Sequence, residues 1–195
     1  MSNTARMRSH AGTFLVCAAA LLLLAGIYQR VANPSLAFHL ETAAPADAAG
    51  HDHPPLTPED AEMLGRAMAH LQKTPEDLDL LLSIAAIFSR NKDWINAVGF
   101  LNRAVHLAPS DMRPHYYLGI AFASQGDYAK AEQAFESALA AAPGNPETMF
   151  SLGVLSRYHL GKPQKAAEMF RAVAASPAAR EDLRKNAREQ IATTP

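Results

Sequence analysis

The sequence is poor in cysteine and balanced in charge, and both features narrow the functions it can have. Cys17 is the only cysteine among 195 residues, so the chain cannot form an internal disulfide. Lysine and arginine number 18 against 19 aspartates and glutamates, and this near-zero net charge gives no support to nucleic-acid binding. We therefore predict a partner other than nucleic acid.

Catalytic and cofactor-binding motifs are also missing. The sequence has no Gly-x-Gly-x-x-Gly, Walker loop, His-Glu-x-x-His or Gly-x-Ser-x-Gly pattern, and without Cys-x-x-Cys-His it cannot itself carry covalent haem. His51 and His53 flank an aspartate, but they stand directly before two prolines and have no fixed third ligand to complete a metal site. We predict a non-catalytic protein with no cofactor and no metal site.

The one long hydrophobic run lies near the N-terminus. Residues 11–28 form an uncharged run of 18 residues, and a membrane-spanning helix needs about 20, with a range of about 17 to 25. Arg6 and Arg8 precede this run, so the positive-inside rule predicts that residues 1–10 lie in the cytoplasm. The sequence thus predicts a single-pass anchor in a bacterial inner membrane, with the remaining chain in the periplasm.

A cleaved signal peptide is the alternative for this segment. Its hydrophobic region would have about 7 to 15 residues before a small-x-small site. The run is longer, and the nearest candidate site, residues 35–37, lies well beyond its end. With either a retained anchor or a cleaved signal peptide, the rest of the chain would be exported. Residues 29–56 are rich in alanine and proline and are predicted to be a flexible linker.

Three copies of one pattern, about 34 residues apart, occupy the second half of the chain. Small residues mark places where two helices would cross closely, large ones would fill the surrounding space, and proline would end each unit. The clearest copy contains Leu118, Gly119, Phe122, Gly126, Asp127, Tyr128, Ala131, Phe135, Ala138, Leu139 and Pro143. The preceding copy has Ile84, Ala85, Phe88, Lys92, Asp93, Trp94, Ala97, Leu101, Ala104, Val105 and Pro109. The following copy has Leu152, Gly153, Gly161, Ala166, Phe170 and Val173, with one extra residue between Gly153 and Gly161. The pattern predicts an all-α fold of paired helices.

This period and its small, large and proline positions resemble the tetratricopeptide repeat. The resemblance implies a right-handed superhelix of stacked helical hairpins. Three repeats would fill residues 74–177, at about 78–111, 112–145 and 146–179. Because one hairpin cannot bury its apolar face alone, about three repeats are the usual minimum for stability.

Helices that flank the repeats are predicted to cap them. The sequences Thr57-Pro58-Glu59-Asp60 and Thr74-Pro75-Glu76-Asp77 share one helix-start signal, with a hydroxyl N-cap, proline at N1 and two acids. The first signal predicts a capping helix over residues 57–73, and the second predicts the start of the repeats. Residues 178–195 are predicted to form a C-terminal capping helix, starting at Ala178, and a tail.

In tetratricopeptide arrays the first helix of each hairpin lines the concave face, so the resemblance also implies a set of groove residues. Arg113 and Arg157 are the candidate anchors for a carboxylate, because the arginine fork binds carboxylate in a bidentate manner. The complete predicted set is Leu82, Ala86, Ser89, Arg113, Tyr116, Tyr117, Ile120, Ala123, Phe150, Val154 and Arg157.

The ligand implied by this set is an apolar or amphipathic peptide. Chaperone-binding members of the family clamp an acidic C-terminal tail with Lys, Asn, Asn, Lys and Arg at groove positions. Those positions are occupied here by Leu82, Ala86, Tyr117, Glu147 and Ser151, so that clamp is absent. A peptide docked as a helix or an extended segment fits the remaining surface better.

The order of anchor, linker and small repeat domain is similar to the tetratricopeptide subunits of bacterial cytochrome c maturation systems. The segment Met68-Ala-His-Leu-Gln-Lys-Thr-Pro75 adds to this similarity. It implies a groove that holds the C-terminus of apocytochrome c, or contacts haem lyase subunits, while haem is attached elsewhere. The alternative is a scaffold for another envelope assembly, such as a pilus, secretion or cell-wall complex.

Overall fold

The computed structural model describes residues 55–193, which form eight α-helices and no strand. The prediction of an all-helical fold is confirmed for these residues. The helices are α1 (Pro58–Leu71), α2 (Leu78–Arg90), α3 (Trp94–Leu107), α4 (Met112–Ser124), α5 (Tyr128–Ala141), α6 (Pro146–Tyr158), α7 (Pro163–Ala175) and α8 (Glu181–Ala192).

Predictions for the N-terminal part of the chain lie outside the described residues. They concern the membrane segment at 11–28, nearly all of the linker at 29–56, and the histidines His51 and His53. Within residues 55–193, no helix combines the length and the apolar character needed to cross a membrane.

The helices pack as a stack of three hairpins. The pairs α2–α3, α4–α5 and α6–α7 make the hairpins, and α3–α4 and α5–α6 join one hairpin to the next. Helix α1 packs on α2, and α8 packs on α7 and touches α6. Contacts therefore run between elements close in the chain, as in a solenoid.

In the second and third hairpins the two helices cross closely at a glycine. A Cβ atom placed on Gly119 of α4 would lie 2.5 Å from the ring of Phe135 in α5. A Cβ atom on Gly153 of α6 would lie 2.8 Å from the ring of Phe170 in α7. Phe135 and Phe170 are almost wholly buried, so each phenyl ring occupies the volume that the glycine leaves.

The turn inside the first two hairpins follows one hydrogen-bonded design. The N–H of Gly126 donates to the carbonyl of Ala123 (3.1 Å), and that of Asp127 donates to Phe122 (2.9 Å). This pair of bonds is a Schellman motif, which needs a positive φ at the residue that follows the C-cap of the helix. Gly126 has φ +81°, and its counterpart in the first hairpin is Lys92, with φ +60°.

Helix α1 is fixed to the first hairpin by a buried carboxylate. Thr57 caps α1 by accepting a hydrogen bond from the N–H of Asp60 at 3.1 Å. The Asp60 carboxylate accepts bonds from Arg90 (2.6 Å) and Asn91 (3.0 Å), at the C-terminal end of α2. Residue 57, where the chain enters α1, consequently lies near the end of α2.

Two predicted helix starts are corrected by the structure. Thr74 does not cap α2, because its hydroxyl donates to the carbonyl of His70 at the end of α1 (3.1 Å). Asp77 is the N-cap instead and accepts from the N–H of Leu80 at 2.9 Å. The last helix begins at Glu181 rather than Ala178, because Arg180 is extended and precedes its first turn.

Candidate binding groove

The first helix of each hairpin contributes one face to a common groove. On α2 the residues of this face recur at the three- and four-residue spacing that places side chains on one side of a helix. Together with α4 they surround an open cavity of about 510 Å³. Its lining is Asp79, Leu82, Ser83, Ala85, Ala86, Ser89, Leu101, Arg113, Tyr117 and Ile120.

A second cavity continues the groove between α4 and α6. It has a volume of about 410 Å³. Its lining is Ile120, Ala123, Ser124, Phe135, Phe150, Ser151, Val154, Leu155 and His159. Ile120 belongs to both linings, so the two cavities form one apolar surface across three helices.

Aromatic side chains give this surface both contact area and rigidity. The ring of Phe150 packs edge-on against the buried ring of Phe170, with centroids 5.5 Å apart. Tyr117 is 45% exposed, a large apolar body that faces the first cavity with its hydroxyl free to meet water or a ligand. The wall of the second cavity at Phe150 is thus fixed to the core. The wall of the first cavity at Tyr117 presents an aromatic ring to the opening.

Nine of the eleven residues predicted for the groove line one of the two cavities. Tyr116 is an exception, because it packs into the core around Phe135, with ring centroids 5.9 Å apart, and touches Tyr117 edge-on at 5.5 Å. It supports the groove from behind.

Arg157 is the second exception, and it is not a free anchor. Its guanidinium donates to the carbonyl oxygens of Gln190 (2.6 Å) and Thr193 (2.7 Å) at the C-terminal end of α8. Cations favour this end of a helix, where carbonyl groups lack helical partners. Arg157 therefore fastens α8 against α6 rather than facing a ligand.

Arg113 lines the first cavity but is also occupied. Its Nη1 donates to Asp79 at 2.7 Å, and its Nη2 donates to Asp111 at 2.8 Å. The hydrogen bond from Arg113 holds the pKa of the Asp111 carboxyl below its usual range. Both arginines predicted as carboxylate anchors are therefore already paired within the protein.

The sequence-based set omitted several residues that the structure places in the groove. The repeat period was the signal that could have found some of them. Asp79 lies 34 residues before Arg113, and Ser83 and Ser151 lie 34 residues before and after Tyr117. Ser124 and His159 have no such signal, because they lie at the helix ends next to turns of unequal length.

Comparison with known proteins agrees with this architecture. The tetratricopeptide repeat family model matches residues 93–146 and residues 116–180. No curated protein matches the chain by sequence. Similar solved structures include MamA, with a TM-score of 0.58 and 17% identity over 69% of this chain and 85% of that chain.

Two further similar structures concern peptide recognition in their own descriptions. PcrH in complex with the chaperone binding region of PopD has a TM-score of 0.55 and 21% identity, over 60% of this chain and 90% of that chain. YrrB, described as a tetratricopeptide protein with an unusual peptide-binding site, has a TM-score of 0.55 and 25% identity, over 64% and 62%. Residues 93–180 of this chain thus match the tetratricopeptide repeat family model, and the stacked hairpins of this region have the arrangement typical of such repeats.

Proposed function

We propose that this protein is a non-catalytic adaptor that holds a segment of another polypeptide in the groove of α2, α4 and α6. The observation that carries the proposal is the pair of apolar cavities joined at Ile120. Cavities of this size have room for several apolar side chains, and their open mouths suit a chain that passes along them.

The proposed ligand is an apolar or amphipathic peptide. Leu82, Ala86, Phe150 and Val154 offer aliphatic and aromatic contact with few polar groups that need a partner. Apolar contact releases water at about 25 cal/mol for each Å² buried, which favours such a ligand over a highly charged one. The descriptions of PcrH, in complex with a region of PopD, and of YrrB, with a peptide-binding site, support a polypeptide as the ligand.

The proposal includes a location outside the cytoplasm. It is supported by the sequence alone, through Arg6 and Arg8 before the hydrophobic run at 11–28. In this arrangement a single N-terminal helix anchors the protein in a bacterial inner membrane, and the repeats work in the periplasm. Exported repeats would meet polypeptides that have just crossed the membrane and are still unfolded.

Within that class we favour a role in c-type cytochrome biogenesis. The groove would then hold the C-terminus of apocytochrome c for a haem lyase. The support is the order of anchor, linker and repeats, and the segment 68–75, which covers the end of α1 and the turn into α2. The alternative is a scaffold for a pilus, secretion or cell-wall complex, which uses the same groove for a different protein.

The groove is tested with one charged substitution inside it and a matched one outside it. Full-length protein in a neutral detergent is used to select from a displayed library of random 12-residue peptides. Ile120→Glu places a charge where both cavities meet and should lower retention of the selected peptides at least tenfold. Ile95→Glu makes the same change on an exposed site of α3 and should leave retention unchanged. Peptides retained equally by both variants would contradict a groove function.

A peptide titration distinguishes the two partners. A labelled C-terminal peptide of an apocytochrome c should bind the full-length protein and lose affinity in Ile120→Glu. If no such peptide binds, while pilus or cell-wall proteins co-purify with the wild type and not with Ile120→Glu, the scaffold alternative is correct.

A further inference from the structure

We propose that the first cavity selects peptides that carry a lysine or arginine beside their apolar residues. This inference rests on the proposed function and names the ligand chemistry of the same groove. It concerns the mouth of the cavity, where Asp79 and Arg113 line the wall and Arg113 is also paired with Asp111.

Among the described residues, Arg113 is the one cation in the lining of this cavity, and two carboxylates already neutralise its charge. The Nε and Nη2 atoms of Arg113 both donate to Asp111, and Nη1 donates to Asp79. A carboxylate from a peptide would have to displace one of these acids or add a third negative charge around one guanidinium. Two carboxylates and one cation leave the mouth with a net negative charge.

Asp79 is placed to accept a second cation. Its side chain is 80% exposed although it contacts Arg113. A carboxylate accepts about four hydrogen bonds, so a single contact leaves capacity for a lysine or arginine. Asp79 also stands one turn before Leu82 on α2, at about 5–6 Å between Cβ atoms, so one peptide can reach both residues.

The surface beside the mouth has the same sign of charge. A neighbouring depression of about 590 Å³ shares Asp79 and Arg113 with the cavity and adds Glu76 and Asp77 to its walls. Arg103 and His106 lie on the other side of Glu76, in a separate depression. A peptide that fills the apolar cavity and continues towards the start of α2 therefore meets an excess of carboxylates.

The proposal is tested with three peptide libraries that share one randomised apolar core. The core is followed by Lys-Lys, Gln-Gln or Glu-Glu, and retention on full-length protein in a neutral detergent is measured at low salt. Exposed ion pairs are weak, so the Lys-Lys library should be retained about fivefold better than the Glu-Glu library. The difference should shrink towards parity at 1 M salt, where the Debye length is about 3 Å.

Three variants identify the groups responsible. Asp79→Asn should reduce the Lys-Lys preference, while Glu168→Gln, which removes an exposed carboxylate from α7, should not change it. Arg113→Gln should increase retention of the Lys-Lys library, because it removes the cation that competes for Asp79. Thermal unfolding checks that each variant remains folded.

The outcomes separate this inference from the proposed function. Equal retention of the three libraries, lost in Ile120→Glu, would overturn the charge preference and leave the groove function standing. Best retention of the Glu-Glu library, lost in Arg113→Gln, would overturn the inference and restore Arg113 as an anchor. Retention of no library above the Ile120→Glu level would overturn both.

Discussion

The first and second hairpins solve the same packing problem with different residues. Where the second hairpin pairs Gly119 with Phe135, the first pairs Ala85 with Leu101 at the equivalent positions. The extra methyl group on one helix is matched by a smaller side chain on the other. The comparison teaches that each crossing conserves the combined volume of its two residues rather than the identity of either.

The turns of the same two hairpins differ in a way that packing does not compensate. Both turns have the Schellman hydrogen bonds, but the second has Gly126 at the position of positive φ and the first has Lys92. A side chain in the left-handed region costs about 1–2 kcal/mol, and glycine avoids this cost. The first turn is therefore the more strained of the two.

The largest effect is expected from exchanging the small residue at one crossing. In Gly119→Ala the new methyl group would lie 2.5 Å from the Phe135 ring, and overpacking of this kind costs about 1–3 kcal/mol. Urea unfolding of the full-length protein should show this loss. The double variant Gly119→Ala/Phe135→Leu recreates the residue pair of the first hairpin and should recover most of it.

Gly99→Ala is the matched control, because no atom lies within 4 Å of a Cβ placed there. In the interior of α3 this change should stabilise the helix by up to about 1 kcal/mol. Equal responses to Gly119→Ala and Gly99→Ala, or no recovery in the double variant, would show that the crossing is not limited by volume.

A smaller gain is expected from giving the first turn the residue of the second. Lys92→Gly removes the left-handed strain but adds freedom to the unfolded chain, so the free energy of unfolding should rise by only about 0.5–1 kcal/mol. The reciprocal Gly126→Lys should lower it by a similar amount. Denaturation midpoints for the two variants that move in the same direction would contradict the comparison.

The smallest effect extends the comparison to the third hairpin. Asp127 caps α5 through a side-chain hydrogen bond, but Lys162 holds the equivalent position before α7 and makes none. Lys162 and Lys165 instead donate to Glu132 of α5, each at 2.7 Å. These bonds lower the pKa of the Glu132 carboxyl from its ordinary value of 4.5.

The lowered pKa of Glu132 makes the stability contributed by its ion pairs with Lys162 and Lys165 dependent on pH. Because the folded-state pKa lies below the unfolded one, the stability is present above about pH 4.5 and is lost as the pH falls through the folded pKa. Glu132→Gln should thus lower the free energy of unfolding by about 0.5 kcal/mol at pH 7 and by less at pH 3. Glu168→Gln is the control, and an equal loss at both pH values would exclude an ionic cause.

The repeating part of the fold could be predicted from the sequence because its signals recur. The spacing of Gly119, Phe135 and Gly126 is set by local helix geometry, and three copies reinforce one another. For the same reason most groove positions followed from the period. Helix starts such as Thr74 were predicted wrongly, since a hydroxyl can donate to the preceding helix as readily as cap the next one.

The roles of the two arginines could not be predicted, because they depend on neighbours distant in sequence. Arg113 meets Asp79 across 34 residues, and Arg157 meets Gln190 across 33. Sequence patterns identify a cation on a helix face but not which acid or carbonyl will occupy it. Asp79 stands one repeat period before Arg113, but its pairing with that arginine became evident only from the structure.

The two cavities meet at Ile120, and their combined length limits how many residues of a partner the groove can contact. Helices in direct contact lie about 8–10 Å apart, so a track across three neighbouring first helices is on the order of 20 Å long. An extended chain covers that distance in about five or six residues. Segments of about five or six residues recur by chance in many polypeptides, so selectivity between partners must come from the residues that flank the bound segment.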